Sequence, residues 1–318
     1  METMDLITLG RTNLQVSRLG VGVMTWGDAA GWARLHPSQL IYGGAHGYAE
    51  EKAALEASVT AGVNLFDTAA MYGGGASERR LGELARGQDI VLATKFPSGI
   101  FARANDMPRD LEASIARLGR VDLYQHHFPS SRVSIPQLME LMADAVGAGK
   151  IKAVGVSNYT AEQMREAYAV LARRGIPLAS NQVEYSLLHR QPETNGVLDT
   201  CRELGVTLIA YQPLAGGALT GKYKTGDRPQ GLRRFMPYFR GKGMEALTPV
   251  VALLREIGAR HDRGPAQVAL RWLIEHDLVL PIPGAENAKQ AADNAAALTF
   301  RLTAGEVEAL SRATQGRP

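Results

Sequence analysis

The sequence predicts an α/β fold, a (β/α)8 TIM barrel with an N-terminal β-hairpin and long loops on its C-terminal face. From residue 64 onward, short apolar runs that end in polar residues or Gly alternate with longer stretches of helical periodicity. This alternation is typical of a parallel sheet covered by helices. Eight such units fit a closed barrel, and residues 1–318 are taken as one domain. An open, doubly wound sheet is the rival interpretation.

The predicted strands are short apolar segments, and the predicted helices are the amphipathic stretches between them. The strands lie at residues 19–24, 64–69, 90–96, 121–127, 151–158, 178–185, 206–213 and 279–283. The helices lie at residues 49–61, 77–85, 108–118, 135–148, 161–173, 195–204, 248–276 with a break near Gly264 and Pro265, and 287–296.

Three further segments lie outside this repeat. Residues 6–18 carry turn-forming residues between apolar ones, which predicts a β-hairpin that plugs the barrel floor. Residues 25–48 and residues 214 to about 247 are longer than usual βα loops. Both follow strands on the face where barrels place their chemistry, so each is a candidate lid, with a plain surface excursion as the alternative.

Composition and charge exclude several classes of protein. The chain is 45% hydrophobic and 21% charged, which is ordinary for a globular protein and excludes disorder. Lys and Arg number 35 against 32 Asp and Glu, too balanced for nonspecific nucleic-acid binding. No apolar run can span a bilayer, and the N-terminus lacks a signal core. With Cys201 as its single cysteine, the chain is expected to be cytoplasmic. Its oligomeric state cannot be read from the sequence.

Four titratable side chains lie at or after the ends of three consecutive strands. They are Asp67, Tyr72, Lys95 and one of the pair His126 and His127. Taken singly, the first three could be a turn cap, a rim aromatic and a solvated strand end. Together they make chemical sense, because Lys95 held by Asp67 would pull the pKa of Tyr72 toward neutrality and make it a usable proton donor.

The histidine pair requires a choice between neighbours. Side chains on a strand alternate between faces, so only one histidine can point into the barrel mouth. We favour His127, because it is the later residue and immediately precedes Phe128 and Pro129, where the strand must end. His126 is then expected to be packed or hydrogen-bonded against the helix layer.

Other chemistries find little support. The histidines and Cys201 form no metal-ligand spacing, and there is neither a Gly-x-Ser-x-Gly nor a Gly-x-Gly-x-x-Gly motif. Residues 216–222 have P-loop spacing, but Tyr223 stands where a Mg²⁺-binding Ser or Thr is needed. The basic stretch 222–242 could approach phosphates or be a solvated loop. The strand-to-helix turn at residues 281–285 has free amides that suit an anion.

These residues together resemble the aldo-keto reductase superfamily over about residues 5 to 312, in the branch that includes bacterial, plastid and potassium-channel β-subunit relatives. The matching segments are residues 62–69 with Tyr72, 93–95, 122–127, 155–158, 181–183, 211–223 and 281–294. The resemblance implies an enzyme that reduces an aldehyde or ketone with NADP(H). It implies Asp67, Tyr72, Lys95 and His127 as the catalytic tetrad, with Tyr72 as the proton donor.

The resemblance also implies where a nicotinamide cofactor would bind. The residues expected at its nicotinamide are Ser157, Asn158, Gln182 and Tyr211, with Val23 and Met24 touching the cofactor near the first strand and Asp67 also counted among the contacts. Those expected along its pyrophosphate are Gln212, Pro213, Leu214, Ala215, Gly216 and Lys222. Those expected at its adenosine end are Gly284, Ala285, Gln290, Asp293 and Asn294. Many relatives carry Lys-Ser and an Arg at this end, so the preference for NADPH is expected to be weaker here, with Lys289 or residues 233–234 as substitutes.

The substrate is less defined. Trp26, Phe96 and Phe128 follow strand ends and could line the site with Tyr72 and His127 as an aromatic wall, or be ordinary rim packing. A cofactor-sensing regulatory subunit with little turnover is the alternative to an enzyme, although the channel-associated relatives carry Asn in place of His127. A Schiff-base aldolase using Lys95 is the other enzyme considered, and it is disfavoured because Asp67 should keep Lys95 protonated.

Overall fold

The computed structural model describes residues 6–28, 47–97, 103–223, 227, 229 and 231–315. Its first element is an antiparallel hairpin of β1 (Leu6–Thr8) and β2 (Gln15–Ser17), as predicted. Eight further strands form one parallel sheet. They are β3 (Val21–Gly22), β4 (Leu65–Asp67), β5 (Val91–Phe96), β6 (Leu123–His126), β7 (Ala153–Ser157), β8 (Leu178–Glu184), β9 (Thr207–Tyr211) and β10 (Val279–Pro281).

The order of the strands shows that the sheet is a barrel. Neighbours follow chain order from β3 to β10 without a reversal. The two edges then meet, because the Gly20 N–H donates to the Pro281 carbonyl and the Gly22 N–H to the Pro283 carbonyl, both at 3.0 Å. A doubly wound sheet reverses its order at a switch point, so that rival is excluded. The (β/α)8 prediction is confirmed.

Helices follow the strands and cover the outside of the barrel. In the described residues they are α1 (Tyr48–Thr60), α2 (Ala76–Leu84), α3 (Met107–Leu118), α4 (Ile135–Gly147), α5 (Ala161–Arg173), α6 (Gln191–Thr194), α7 (Val197–Leu204), α8 (Lys242–Arg260), α9 (Pro265–Ile274), α10 (Ala288–Ala295) and α11 (Ala304–Ala313). None of these described helices has the length and apolarity needed to cross a bilayer.

Most elements begin or end within a few residues of the prediction, and three helical features differ by more than that. The predicted helix at 195–204 is preceded by the short helix α6, and Gly196 with φ 81° separates α6 from α7. Helix α8 begins at Lys242, inside the predicted loop, and the predicted break separates it from α9. Helix α11 was not predicted, although Thr303 and Glu306 form a capping box at its start.

The hairpin closes the bottom of the barrel, as predicted. Apolar side chains of the hairpin pack against the inward-facing ones of β4 to β10, in a cluster that includes Leu9, Leu14, Val16, Leu65, Leu123, Ile209 and Leu280. The Gly10 N–H donates to Thr207 Oγ1 at 2.8 Å. Gly10 has φ 58°, and a Cβ there would lie 2.5 Å from the Ala179 carbonyl oxygen. Only glycine therefore fits where the turn meets the barrel.

The carboxyl ends of all eight strands point to the opposite end, where two long connections emerge. Residues 29–46 of the first candidate lid lie outside the described residues. The described part of the second contains the 3-10 helices Ala215–Thr220, Gly231–Phe235 and Pro237–Phe239. Its Met236 packs over Gly216, since a Cβ on that glycine would lie 2.8 Å from Met236 Sδ. This connection therefore folds back onto the end of β9.

Candidate active site

The centre of the site is the carboxylate of Asp67, the last residue of β4. It is 3% exposed, and its two oxygens have different partners. Oδ1 pairs with Lys95 Nζ. Oδ2 accepts hydrogen bonds from Gln125 Nε2 and from Gln182 Nε2, each at 2.9 Å. A carboxylate held by three donors has a fixed orientation inside the barrel.

Lys95 lies on β5, one strand further round the barrel. Its side chain is fully buried, and Nζ donates to the Thr68 carbonyl at 2.7 Å as well as to Asp67. Burial alone would lower the pKa of Lys95, but Asp67 and Tyr72 together raise it above its ordinary value. The amine is therefore protonated at neutral pH, which is the reverse of what a Schiff-base nucleophile requires.

Tyr72 is brought next to this pair by a tight turn after β4. Gly73, Gly74 and Gly75 follow it with φ values of 57°, 63° and 83°, which return the chain sharply into α2. The Tyr72 ring centroid lies 5.2 Å from Lys95 Nζ. Part of Tyr72 reaches solvent at the barrel mouth, so its ring lies between the buried ion pair and the open end.

The pKa of Tyr72 shifts in the direction opposite to the one expected from the sequence. Burial raises the pKa of Tyr72 above its ordinary value of 10, and Asp67 raises it further. Lys95 does lower it, through its charge and hydrogen bonding, but by less than burial and Asp67 together raise it. The expected shift toward neutrality is therefore wrong, and Tyr72 is a phenol at neutral pH.

The two histidines at the end of β6 occupy different environments. The His127 ring centroid lies 5.7 Å from that of Tyr72, with the ring planes at 85°, and the Phe128 ring stacks on His127 at 4.5 Å. His126 is buried in the outer core, where Nδ1 lies 2.7 Å from the Tyr159 hydroxyl. Burial lowers the pKa of His126 to about 4, so it is neutral. The structure therefore places His127 with Tyr72, and His126 against the helix layer.

An arc of polar side chains continues from His127 along the ends of β7, β8 and β9. Asn158 Nδ2 donates to the His127 carbonyl at 3.1 Å and to Ser157 Oγ at 3.0 Å. The Tyr211 hydroxyl donates to Asn158 Oδ1 at 3.1 Å, and Ser157 Oγ donates to the Gln182 carbonyl at 2.8 Å. Ser157, Asn158, Gln182 and Tyr211 thus form one hydrogen-bonded unit beside His127. All four are expected from the sequence at the nicotinamide end of a cofactor.

Comparison with known proteins identifies this architecture. The model of the Aldo/keto reductase family matches residues 18–315. The chain belongs to the aldo/keto reductase family. It is 38% identical over 320 residues to an uncharacterised oxidoreductase of Mycobacterium tuberculosis, across 99% of this chain and 93% of that protein. It is 33% identical over 283 residues to an aldo-keto reductase of Schizosaccharomyces pombe named with NADP(+), across 82% of each chain.

The fold is also that of a solved structure. Glycerol dehydrogenase from Gluconobacter oxydans superimposes with a TM-score of 0.83 at 24% identity, over 99% of this chain and 96% of that one. At that identity the likeness concerns the fold alone. Family membership makes this aldo/keto reductase an oxidoreductase whose general chemistry is the reduction of carbonyl groups.

The loop after β9 of this aldo/keto reductase has unusual backbone geometry. Gln212 and Ala215 adopt positive φ values of 53° and 49°, followed by Gly216 and Gly217 at 63° and 94°. Conformations of this kind turn successive N–H groups to one side and are common around bound phosphates. Pro213 is buried, Leu214 is partly buried, and Lys222 is exposed at the end of the loop.

The opposite end of the candidate cofactor site lies between β10 and α10. Asn294 Nδ2 donates to the Gly284 carbonyl at 3.0 Å, which fixes the turn. Gln290 Nε2 donates to a Glu286 carboxylate oxygen at 3.2 Å, which brings a negative charge to the start of α10. Lys289 is paired with Asp293 at 2.6 Å, so its charge is partly neutralised.

Several predicted contact residues are more buried than a ligand-facing role requires. Trp26 is 1% exposed, with Nε1 donating to the Ala285 carbonyl at 2.8 Å, and Phe96 is fully buried against His126. The rings of Trp26 and Phe96 therefore belong to the outer core, which fits the packing alternative, and the aromatic wall stays a prediction. Phe128 is 42% exposed. Val23 and Ala285 are also buried, and Met24 is partly exposed.

Gln125 is the residue that the sequence reasoning missed. It is fully buried on β6 and donates to Asp67. Strand alternation carried the signal, because a residue two positions before His127 must share its inward face. Nothing in the sequence alone gave the register that puts this side chain beside a carboxylate of β4.

Proposed function

We propose that this aldo/keto reductase is an NADP(H)-dependent enzyme that reduces an aldehyde or ketone to the alcohol, with Tyr72 as the proton donor. The single observation that carries the proposal is the grouping of Asp67, Tyr72, Lys95 and His127. One ionised pair lies under a protonated phenol, and an imidazole lies beside that phenol at the open end of the barrel.

A bound nicotinamide supplies the hydride that the carbonyl carbon accepts. Tyr72 then transfers its phenolic proton to the carbonyl oxygen, so that the products are the alcohol and a phenolate. The ammonium of Lys95 stabilises that phenolate at the moment it forms, and Asp67 keeps Lys95 charged. His127 lies where it can donate a hydrogen bond to the same oxygen and orient the carbonyl. A proton from solvent restores the phenol after the alcohol has left.

The residues present fit a nicotinamide cofactor. Ser157, Asn158, Gln182 and Tyr211 form a polar arc beside His127 that suits a carboxamide and an aromatic ring. We assign the pyrophosphate to the positive-φ loop after β9. We assign the adenosine end of the cofactor to the turn between β10 and α10, because phosphate sites are common after the last strands of such barrels.

The preference for NADP(H) rests on the basic loop and on the relative named with NADP(+). Lys222 is exposed at the end of the phosphate loop, and Arg234 is exposed in the connection that follows. Glu286 works against a 2′-phosphate, so the preference over NADH is expected to be modest. The single cysteine, Cys201, is buried and needs no oxidising compartment, which supports a cytoplasmic location that cell fractionation would test.

The experiment is a cofactor titration followed by turnover measurements on a panel of aldehydes and ketones, comparing the wild type with Tyr72→Phe. We expect the variant to lose about 100-fold or more in kcat, the usual contribution of a positioned acid, and to bind NADPH with nearly unchanged Kd. Ordinary turnover by Tyr72→Phe would refute Tyr72 as the donor. Tight NADPH binding by the wild type with negligible turnover across the panel would favour a cofactor-sensing regulatory subunit instead.

A further inference from the structure

Two glutamines share one oxygen of the central carboxylate. Gln125 on β6 and Gln182 on β8 both donate from Nε2 to Asp67 Oδ2 at 2.9 Å. They also contact one another, since Gln182 Nε2 donates to Gln125 Oε1 at 3.3 Å. Gln125 is fully buried and Gln182 is 3% exposed, so water does not compete for these bonds.

Chemistry fixes which way each amide points. An ionised carboxylate only accepts hydrogen bonds, so both glutamines must present their NH2 groups to Asp67. Gln125 Oε1 then accepts a hydrogen bond from the second N–H of Gln182, so both N–H groups of Gln182 Nε2 have an acceptor. The amide oxygen of Gln182 is left facing away from Asp67, and it accepts no hydrogen bond from any residue within the described ranges.

We propose that Gln125 is a positioning residue that locks Gln182 as a hydrogen-bond acceptor. Without Gln125, Asp67 still holds one N–H of Gln182, but the second N–H loses its acceptor, so the amide plane can turn about the remaining hydrogen bond and its oxygen has no fixed direction. With Gln125 in place, both N–H groups of Gln182 are held and its oxygen is fixed in one direction, so the ligand group that suits it is an N–H donor. This inference deepens the proposed function, because the donor would be the carboxamide NH2 of the nicotinamide.

The test compares two ligands that differ at that one group. NADP+ carries the carboxamide NH2, and 3-acetylpyridine adenine dinucleotide phosphate carries a methyl group in its place. A site built to accept an N–H leaves its oxygen unpaired against the methyl group, which costs roughly tenfold in affinity. We therefore expect the wild type to bind the analogue about tenfold more weakly than NADP+, as measured by isothermal titration calorimetry without substrate.

Two variants and one control decide the role of Gln125. Gln125→Met removes both hydrogen bonds at similar volume, so the ratio of the two dissociation constants should fall below about threefold. Gln125→Glu can still accept from Gln182 Nε2, whether it is protonated or ionised, so it should keep the wild-type ratio. Ser180→Ala is the control, because Ser180 is buried on β8 with an Oγ that has no partner in the described residues. It should also keep the wild-type ratio.

The outcomes separate this inference from the proposed function. A folded Gln125→Met variant that retains the tenfold ratio would overturn the role of Gln125, and so would equal binding of both ligands by the wild type. If Gln125→Met does not fold, loss of the ratio in Gln125→Glu overturns the role instead. Failure of the wild type to bind either dinucleotide would refute the proposed function, and this inference with it.

Discussion

The buried ion pair makes a prediction about stability that needs no cofactor. Removing either partner leaves an unpaired charge buried inside the barrel, but the two removals are not equivalent. Asp67→Asn leaves the fully buried Lys95 ammonium with neutral acceptors only, among them the Thr68 carbonyl, and it turns an NH2 group toward two donors. Lys95→Met leaves a carboxylate that still accepts from Gln125 and Gln182.

The magnitudes follow from this asymmetry. Breaking a buried pair costs about 3–5 kcal/mol of the free energy of unfolding, so Asp67→Asn is expected near 4 kcal/mol. The two hydrogen bonds that Gln125 and Gln182 still donate to Asp67 are worth roughly 1 kcal/mol each. The loss of stability expected for Lys95→Met is therefore about 2–3 kcal/mol. The double variant leaves no buried charge, and its destabilisation should be smaller than that of Asp67→Asn alone by at least about 1 kcal/mol.

Urea unfolding followed by both far-UV circular dichroism and tryptophan fluorescence measures these differences, and coincident transitions establish a two-state comparison. Glu203→Gln is the control, because its pair with Arg165 at 2.7 Å is about half exposed on both sides and should cost under about 1 kcal/mol. The reasoning fails if Asp67→Asn is no more destabilising than Lys95→Met, or if the double variant is the least stable of the three.

Three further predictions concern the barrel floor, a buried histidine and cofactor choice. Gly10→Ala should cost about 2–3 kcal/mol in urea unfolding, because its Cβ would lie 2.5 Å from the Ala179 carbonyl oxygen. Gly175→Ala, with a similar φ and open space, should cost only about 1 kcal/mol, and equal losses would contradict the steric argument. Since the pKa of His126 is lowered to about 4, the stability tied to its neutral form is present above pH ~6.5 and is lost toward pH 4, on the order of 3 kcal/mol. Unfolding curves against pH should be flatter over that range in His126→Gln, and parallel curves would exclude His126 as the source. Glu286→Lys should raise the affinity for NADPH over NADH roughly tenfold by calorimetry, whereas an unchanged ratio would place the 2′-phosphate elsewhere.

The barrel was predictable because its strands are buried on both faces. A strand such as β5 is covered by helices outside and by its neighbours inside, so it appears in the sequence as an apolar run bounded by polar residues. Eight such runs in a chain of this length leave few other ways to bury them. The same alternation of faces separated His127 from His126, since consecutive residues on one strand cannot both point inward.

Other features depend on distances that a single sequence does not contain. Gln125 contacts Asp67 only because β6 lies two strands from β4 in a closed barrel, where inward side chains meet across the interior. Trp26 and Phe96 appear at strand ends in the sequence, but their burial depends on which loops pack over them. Charges near Tyr72 could be named in advance, whereas the larger effect of burial on its pKa could not.

With Tyr72 as the proposed proton donor, its raised pKa predicts different pH profiles for reduction and for oxidation. Carbonyl reduction begins with a phenol and alcohol oxidation begins with a phenolate. Because burial and Asp67 together outweigh Lys95, the pKa of Tyr72 lies above its ordinary value of 10, so the rate of the hydride step in reduction should be flat from about pH 6 to about pH 9. Oxidation of an alcohol should instead rise over the same range, roughly tenfold per pH unit, as the small phenolate fraction grows. Single-turnover rates in both directions measure this, with Tyr72→Phe as the control in which neither profile has that form. A reduction rate that falls tenfold per unit through neutral pH would mean that the group losing its proton is not this buried phenol.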